Sequence, residues 1–275
     1  MKKKFYLGAL FSMIAALGAP AIALAATQPV VVTPSSLQGW QEYPGSGQLS
    51  FVNDTTSPLP TGALQFDTPA NPDEVQMYRD LTPTAIKKIN SMSYSAKRLA
   101  GPAYASPSYT LGIDTNNDNT DDFYAWYEPV YNQPANTNYD QWQTFTLDKT
   151  TTKFWSFSAI DSSGHGGANG ANFFTLTDVQ NDFPKAKVID LTLNVGSGTP
   201  GWSVRADNVT FDNTTWNFEL KNVPTDKSQC KNGGYANYTD NDGTVFKNQG
   251  DCVSYVTSKN GSNTTTNNNN VTITS

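Results

Sequence analysis

The sequence has little charge, little sulfur and almost no histidine. Of its 275 residues, 15% are charged and the formal net charge is -6. This balance argues against a nucleic-acid partner, which needs a basic surface to displace counterions. The cysteines are Cys230 and Cys252, and the single histidine is His165. A zinc site on the cysteine pair therefore lacks its other ligands, and in an oxidising compartment a disulfide is the simpler interpretation.

Sustained helical periodicity is also missing. Apolar residues instead alternate with period two between turn signals, from Leu37 to Leu220, which predicts an all-β antiparallel sandwich. The predicted strands are Gly47–Asn53, Gly62–Asp67, Ile89–Arg98, Ser108–Asp114, Phe123–Tyr131, Gln141–Leu147, Phe154–Ile160, Val188–Val195, Trp202–Asp212 and Thr215–Leu220. Two short helices are predicted, one over Asp73–Asp80 and one beginning at Thr177.

Two strands show how the faces should be arranged. Ile189, Leu191, Leu193 and Val195 alternate with polar residues, which predicts one dry and one wet face. In Trp202–Asp212 the alternation changes phase, which predicts a β-bulge near Asp207 and Asn208.

The two ends of the chain differ from its middle. Residues 1–25 combine three lysines, an apolar run and the small-residue pattern Ala23-Leu24-Ala25, the pattern of a secretory signal peptide. We therefore expect a secreted protein with a sandwich over residues 26–222. Residues 223–258 form a predicted appendage stapled by the cysteine pair, and the Asn- and Thr-rich residues 259–275 a disordered tail.

Three ordered segments carry a family resemblance: residues 124–132, the Trp142–Phe145 strand leading to Phe154-Trp155, and residues 201–211. Their order resembles secreted bacterial β-sandwich proteins, many actinobacterial, that have no assigned activity. The last segment is also similar to jelly-roll carbohydrate-binding modules and concanavalin-like lectin domains. This resemblance implies a jelly-roll or concanavalin-like sandwich in which an Asp on that strand helps to hold structural calcium.

Two places are candidate calcium sites. At Asp207, the broken alternation would point a carboxylate inward, with Glu42 and backbone carbonyls as co-ligands by analogy with jelly rolls; the alternative is an Asp that caps the bulge through backbone amides. The second is the oxygen-rich run with Asp114, Asn116 and Asp118. It lacks the turn glycine and final Glu of an EF-hand loop, so the alternative is a solvated hairpin tip.

Aromatic residues are candidates for sugar stacking, namely Trp126, Trp142, Trp155 and Tyr131, with Tyr124 beside them. Alternation places Tyr124, Trp126 and Glu128 on one face of their strand, so one face should be core and the other exposed. The alternative for any single ring is a place in the core.

Catalytic signals are weaker. His165 lies in a Gly-rich loop without a Ser or Cys nucleophile elbow, and Glu128 with Glu219 forms a glycosidase pair only if the two face each other across a cleft. The sequence therefore predicts a secreted, non-catalytic protein that binds a polysaccharide or cell-surface glycan, with structural calcium as its expected cofactor. The alternatives are a polysaccharide-active hydrolase or lyase, and a surface protein that binds other proteins.

Overall fold

The computed structural model describes residues 28–43, 45–59, 61–132, 134–161, 164–166, 172–221, 223–240 and 244–262. The predicted signal peptide and most of the predicted tail lie outside these residues. Within them are twelve strands and two helices: β1 (Val30–Val32), β2 (Trp40–Tyr43), β3 (Gln48–Asn53), β4 (Gly62–Thr68), β5 (Val75–Ala85), β6 (Met92–Ala100), β7 (Ser108–Asp114), β8 (Phe123–Tyr127), β9 (Gln143–Thr146), α1 (Leu176–Asp182), β10 (Lys187–Val195), β11 (Trp202–Phe211), β12 (Thr214–Phe218) and α2 (Gln249–Ser262).

The strands form two sheets, which confirms the predicted all-β sandwich. The seven-stranded sheet has the order β1-β12-β11-β4-β3, with β6 paired to β11 and β9 paired to β6. The five-stranded sheet has the order β2-β5-β10-β7-β8. Every pairing between these strands is antiparallel except that of β1 with β12. Each sheet therefore has one face available to a shared core and one face available to solvent.

One continuous apolar core lies between the sheets. Trp40 of the five-stranded sheet contacts Trp216 of the other sheet edge to face, with ring centroids 5.4 Å apart. The hydroxyl group of Tyr109 donates to the backbone oxygen of Thr210 at 2.7 Å, a bond from one sheet to the other. Each fully buried Leu or Phe side chain stabilises the fold by about 2 kcal/mol. The packed core therefore fixes the position of the two sheets relative to each other.

The predicted helix over Asp73–Asp80 is wrong, because the segment from Val75 onward belongs to strand β5. Val75 and Met77 are buried while Gln76 and Tyr78 are only partly so, and this is the period-two pattern of a strand. β5 pairs with β2 on one side and β10 on the other. Tertiary pairing therefore decides the conformation of a segment whose local signals favour a helix.

Three other predicted elements differ from the observed ones in their bounds or pairing. The strand predicted to reach Tyr131 ends at Tyr127, because Pro129 begins a 3₁₀ turn. The predicted strand Phe154–Ile160 forms isolated bridges only, including one between Trp155 and Trp126. The second predicted helix is present as α1, where Thr175 and Asp178 form a capping box.

The two predictions about strand phase had different outcomes. The bulge in β11 is confirmed, since its register against β6 shifts between Asp207 and Thr210. In β10, a bulge between Val188 and Asp190 makes Val188 buried and leaves Ile189 partly exposed. The predicted inward position of Ile189 is therefore wrong.

The C-terminal region has its own small core. The Cys230–Cys252 disulfide is present and packs with Phe246 and Val256. Helix α2 extends through Ser262, so the first four residues of the segment predicted to be disordered are helical. Among the described residues, no helix has the length and apolar character needed to cross a membrane.

Candidate functional site

The outer face of the five-stranded sheet carries side chains that line up across the strands. β5, β10, β7 and β8 each turn alternate residues away from the core, and the pairing register places these residues side by side. Three rows result: Gln41–Tyr78–Thr192–Thr110–Trp126, Tyr43–Gln76–Asn194–Ser108, and Asp80–Asp190–Gly112–Tyr124.

A cleft runs over this face, and we name it the sheet-face cleft. It consists of two cavities that share Trp126, with volumes of about 390 and 320 Å³. The first is lined by Tyr43, Gln76, Tyr78, Asp80, Thr110, Asp121, Tyr124, Trp126, Asp190 and Thr192. The second is lined by Glu74, Ser106, Trp126, Glu128, Trp155, Phe157, Asn194, Val195, Gly196, Ser197, Thr199 and Trp202.

Three aromatic rings form a ledge at the shared part of the cleft. Trp126 and Trp155 stack with ring centroids 5.5 Å apart and planes 22° apart. Reciprocal backbone hydrogen bonds, at 2.8 and 3.0 Å, join the main chains of these two residues. Phe157 meets both rings edge to face and is 64% exposed. The ledge therefore presents a large ring to solvent on a support whose backbone is held in place.

A carboxyl pair forms part of the wall of the first cavity. Asp190 is 8% exposed, and its Oδ1 accepts from the backbone N–H of Gly112 at 3.1 Å. A Cβ atom at Gly112 would overlap Oδ2 of Asp190 and Oδ1 of Asp121, so glycine is what allows the two carboxyl groups to approach. The hydroxyl of Tyr124 donates to Oδ2 of Asp121 at 2.7 Å.

Burial, reinforced by the Asp121 carboxylate, raises the pKa of Asp190 to about 8. At neutral pH Asp190 is therefore mostly protonated and can donate to Oδ1 of Asp121, a buried atom with no other hydrogen-bond partner. The pair then carries one negative charge and one shared proton. It offers both a donor and an acceptor to a ligand that enters the cleft.

Two further acids lie in the second cavity. Burial raises the pKa of Glu128, while Glu74 accepts from the side-chain amides of Gln76 and Asn194. Chemically, the whole cleft therefore combines aromatic surface with amide, hydroxyl and carboxyl groups. These are the groups that stack on, and hydrogen-bond to, polyhydroxylated ligands.

The predicted stacking residues do not all lie together. Trp126 and Trp155 share the ledge, whereas Trp142 precedes β9 in the seven-stranded sheet and does not line the cleft. Tyr131 packs on Phe173, with ring centroids 4.9 Å apart, and lines a separate cavity of about 340 Å³.

Sequence reasoning missed several cleft residues: Tyr43, Gln76, Tyr78, Asp190 and Phe157. The period-two pattern of β5 was the available signal for two of them, and it was hidden by the helix prediction. The predicted outward positions of Asp190, Thr192 and Asn194 were the signal for β10.

Asp207 is buried at the seam between two strands. The pairing of β4 with β11 ends at Ala206, and that of β12 begins at Val209. In the gap, the Asp207 carboxylate accepts from Ser57 Oγ at 2.5 Å and from the Phe218 and Leu59 N–H groups at 3.0 and 3.3 Å. Burial still raises its pKa to about 7.

The predicted co-ligand Glu42 is exposed on β2, in the other sheet. Glu219 instead lies beside Asp207. Burial and the Asp207 carboxyl raise the pKa of Glu219 to about 7, and its buried Oε1 has no hydrogen-bond partner among the described residues. Two buried carboxyl groups therefore meet at this seam.

The second predicted calcium site is the tip of the β7–β8 hairpin. Asp114 is fully buried and accepts from the backbone N–H groups of Asn117 and Asn119 at 2.5 and 3.0 Å. Asn116 accepts from the N–H of Asp118 at 2.9 Å. Asn117 and Asn119 both have positive φ, 69° and 65°, so the Asn-rich sequence also serves the turn itself.

The predicted glycosidase pair is not assembled. Glu128 lines the sheet-face cleft, whereas Glu219 follows β12 of the seven-stranded sheet and contacts Thr61 and Asp207. The two acids therefore do not face each other across one cleft.

Comparison with known proteins identifies no family for the chain. No family model matches it, and neither does any curated protein. Among solved structures, the family 11 carbohydrate-binding module of cellulosomal cellulase Lic26A-Cel5E of Clostridium thermocellum is 11% identical, with a TM-score of 0.40, over 66% of this chain and 89% of that one. A native family 12 xyloglucanase from Bacillus licheniformis is 10% identical, with a TM-score of 0.31, over 66% of this chain and 89% of that one.

Proposed function

We propose that this protein binds a polysaccharide chain in the sheet-face cleft. The observation that carries the proposal is the aromatic ledge of Trp126, Trp155 and Phe157 beside rows of hydrogen-bonding side chains. A flat ring covers the apolar face of a pyranose, and the rows supply donors and acceptors for its hydroxyl groups. The two adjoining cavities suit a chain of several sugar units better than a single sugar.

The low charge of the chain fits this ligand class. A neutral polysaccharide needs no field of one sign, and the acids in the cleft serve as hydrogen-bond acceptors. We infer that the natural setting is outside the cytoplasm, because residues 1–25 have the signal-peptide pattern. The natural ligand is then a cell-surface or environmental polysaccharide.

A pair of matched variants tests the proposal. Phe157→Ala removes a ring of the ledge, and Tyr139→Ala removes an equally exposed ring elsewhere, since both are 64% exposed. Affinity gel electrophoresis against a panel of soluble β-glucans, xylans and mannans is the assay. We expect retarded migration of the wild type in at least one gel, with binding at least about tenfold weaker in Phe157→Ala. Equal weakening by both variants, or no retardation in any gel, would contradict a cleft-based role for these glycans.

A second candidate function is polysaccharide hydrolysis, favoured by Glu74 and Glu128 in one cavity. Glycosidases use one carboxyl group as acid and a second as nucleophile or base, and the raised pKa of Glu128 suits the acid. Release of reducing ends from a bound polysaccharide, abolished in Glu128→Gln, would establish this activity. Binding without release of reducing ends supports the non-catalytic role. Because the site is a cleft and not a flat face, protein binding is the least supported of the three candidate functions.

We also propose that calcium stabilises the fold at Asp207. The neighbouring Glu219, with its unpartnered buried Oε1, supports this assignment because calcium prefers several carboxylate oxygens. If calcium binds there, its addition raises the melting temperature of the wild type and not that of Asp207→Asn. Asp118→Asn is the control for the hairpin loop of Asp114, Asn116 and Asp118: loss of the calcium effect in this variant alone would move the site to the loop.

A further inference from the structure

We propose that Asp161, His165 and Asp182 form a binding site for a divalent transition-metal ion, and Zn²⁺ is the ion used to test the site. One ligand atom from each residue lies within 4.8 Å of the other two. The site is separate from the sheet-face cleft and from the seam at Asp207. It uses the only histidine in the chain.

The distances from the His165 imidazole to the two carboxylates suit a small metal ion. His165 Nδ1 lies 2.6 Å from Asp161 Oδ2 and 3.9 Å from Asp182 Oδ2. With Zn–N and Zn–O bonds of about 2.0–2.2 Å, tetrahedral ligand atoms stand about 3.3 Å apart. The observed separations bracket that value, so small side-chain shifts would bring the three atoms into the first coordination sphere, with water at the remaining position.

The donor set selects the class of metal. One imidazole nitrogen with two carboxylates suits Zn²⁺ and its first-row neighbours, whereas calcium prefers an all-oxygen sphere. The side chain of Asp161 is only 6% exposed while that of His165 is 31% exposed. A metal ion can therefore reach the site from solvent and is held by a carboxylate fixed within the protein.

Binding would join two elements of the fold. Asp161 and His165 lie beside the Ala159–Gly166 bridge, which follows Phe157 in the sequence. Asp182 is the last residue of α1. The ion would therefore fasten the segment that carries part of the aromatic ledge to α1.

Because the chain has one histidine, nuclear magnetic resonance can observe the site directly. A two-bond ¹H–¹⁵N spectrum of the imidazole contains a single ring, and titration with Zn²⁺ should shift its Nδ1 signal and saturate at one ion per chain. Isothermal titration gives the affinity on the same sample, and a melting temperature raised by about 5 °C at a hundredfold excess over Kd is expected.

Two variants that should preserve the fold test the assignment of the metal ligands. His165→Asn should weaken Zn²⁺ binding by about tenfold or more. The double variant Asn181→Asp with Asp182→Asn keeps the net charge and moves the carboxylate by one helical position, and it should weaken binding similarly. Asp118→Asn is the control and should leave the affinity unchanged, as should addition of calcium. Absence of saturable binding to folded wild type, or equal affinity in all four proteins, would overturn the proposal and leave an ion pair at this position.

Discussion

The substitution Asp190→Asn should remove a pH-dependent destabilisation that originates in the sheet-face cleft. In the folded protein Asp190 keeps its proton up to about pH 8, whereas its ordinary pKa is 3.8. The folded state therefore binds one more proton than the unfolded state between these values. Stability contributed by the retained proton is fully present below pH 3.8 and is lost as pH rises towards 8.

The size of the effect follows from the width of this window. One retained proton changes the free energy of unfolding by about 1.4 kcal/mol per pH unit, or roughly 6 kcal/mol over the whole window as an upper limit. Asp121 shares the proton and water enters the open cleft, so we expect about 2 kcal/mol at pH 8. For a chain of this length that corresponds to a melting temperature about 4–8 °C higher in the variant.

The asparagine preserves the local hydrogen bonds. Its amide can donate to Asp121 as the protonated carboxyl does, and its oxygen can accept from the Gly112 N–H. Scanning calorimetry of wild type and variant from pH 4 to pH 8 is the assay. The two melting temperatures should agree near pH 4 and diverge as pH rises.

Glu42→Gln provides the control, because Glu42 is an exposed acid on β2 of the same sheet and does not line the cleft. Asp207 and Glu219 also have pKa values raised to about 7 by burial, and they contribute equally to every curve, so the difference isolates Asp190. Parallel curves for wild type and Asp190→Asn would refute the protonation of this residue in the folded protein.

Three further perturbations have defined outcomes. Gly112→Ala should destabilise the protein by about 2 kcal/mol, because the new Cβ overlaps the Asp190 carboxyl. Chemical denaturation measures the loss, and an unchanged midpoint would contradict the close approach of the Asp190 carboxyl to Gly112. Asp54→Asn should destabilise by about 2 kcal/mol at pH 7, since it removes the buried carboxylate that pairs with both Lys97 and Arg205 and leaves Lys97 with Asp140 alone. The difference from wild type should shrink as pH falls towards 2, where Asp54 takes up its proton. The double substitution of Cys230 and Cys252 by serine should increase amide exchange in residues 223–258 and leave the sandwich protected; uniform loss of protection would show one cooperative unit.

Local pattern was enough to predict much of the sandwich. β7 has the predicted bounds, Ser108–Asp114, because its turns are marked by Pro107 and the Asn-rich loop. The bulge at Asp207 was visible as a change of phase, and the disulfide followed from the cysteine count. For the strand and the bulge, the signal lies within about ten consecutive residues.

The cleft could not be predicted in the same way. Its rows join residues as distant in sequence as Tyr78 and Thr192, and their alignment depends on strand pairing that no single segment encodes. β5 shows the limit most clearly, since pairing with β2 and β10 gives it a strand conformation that the acidic residues just before it, Asp73 and Glu74, do not predict. Trp142 and Tyr131 carry the right chemistry but lie outside the cleft, because ring type alone does not specify position.

The bridge between Trp126 and Trp155 also bears on solubility. β8 is an edge strand of the five-stranded sheet, and a free edge offers backbone groups to which strands of other molecules can add. The short segment at Trp155 occupies two of these groups. The strand ends at Tyr127, and Pro129 begins a 3₁₀ turn two residues later. The residues that form the ledge therefore also cover part of the free sheet edge, which limits edge-to-edge aggregation. Substitutions that release the segment at Trp155 should promote self-association as well as weaken ligand binding.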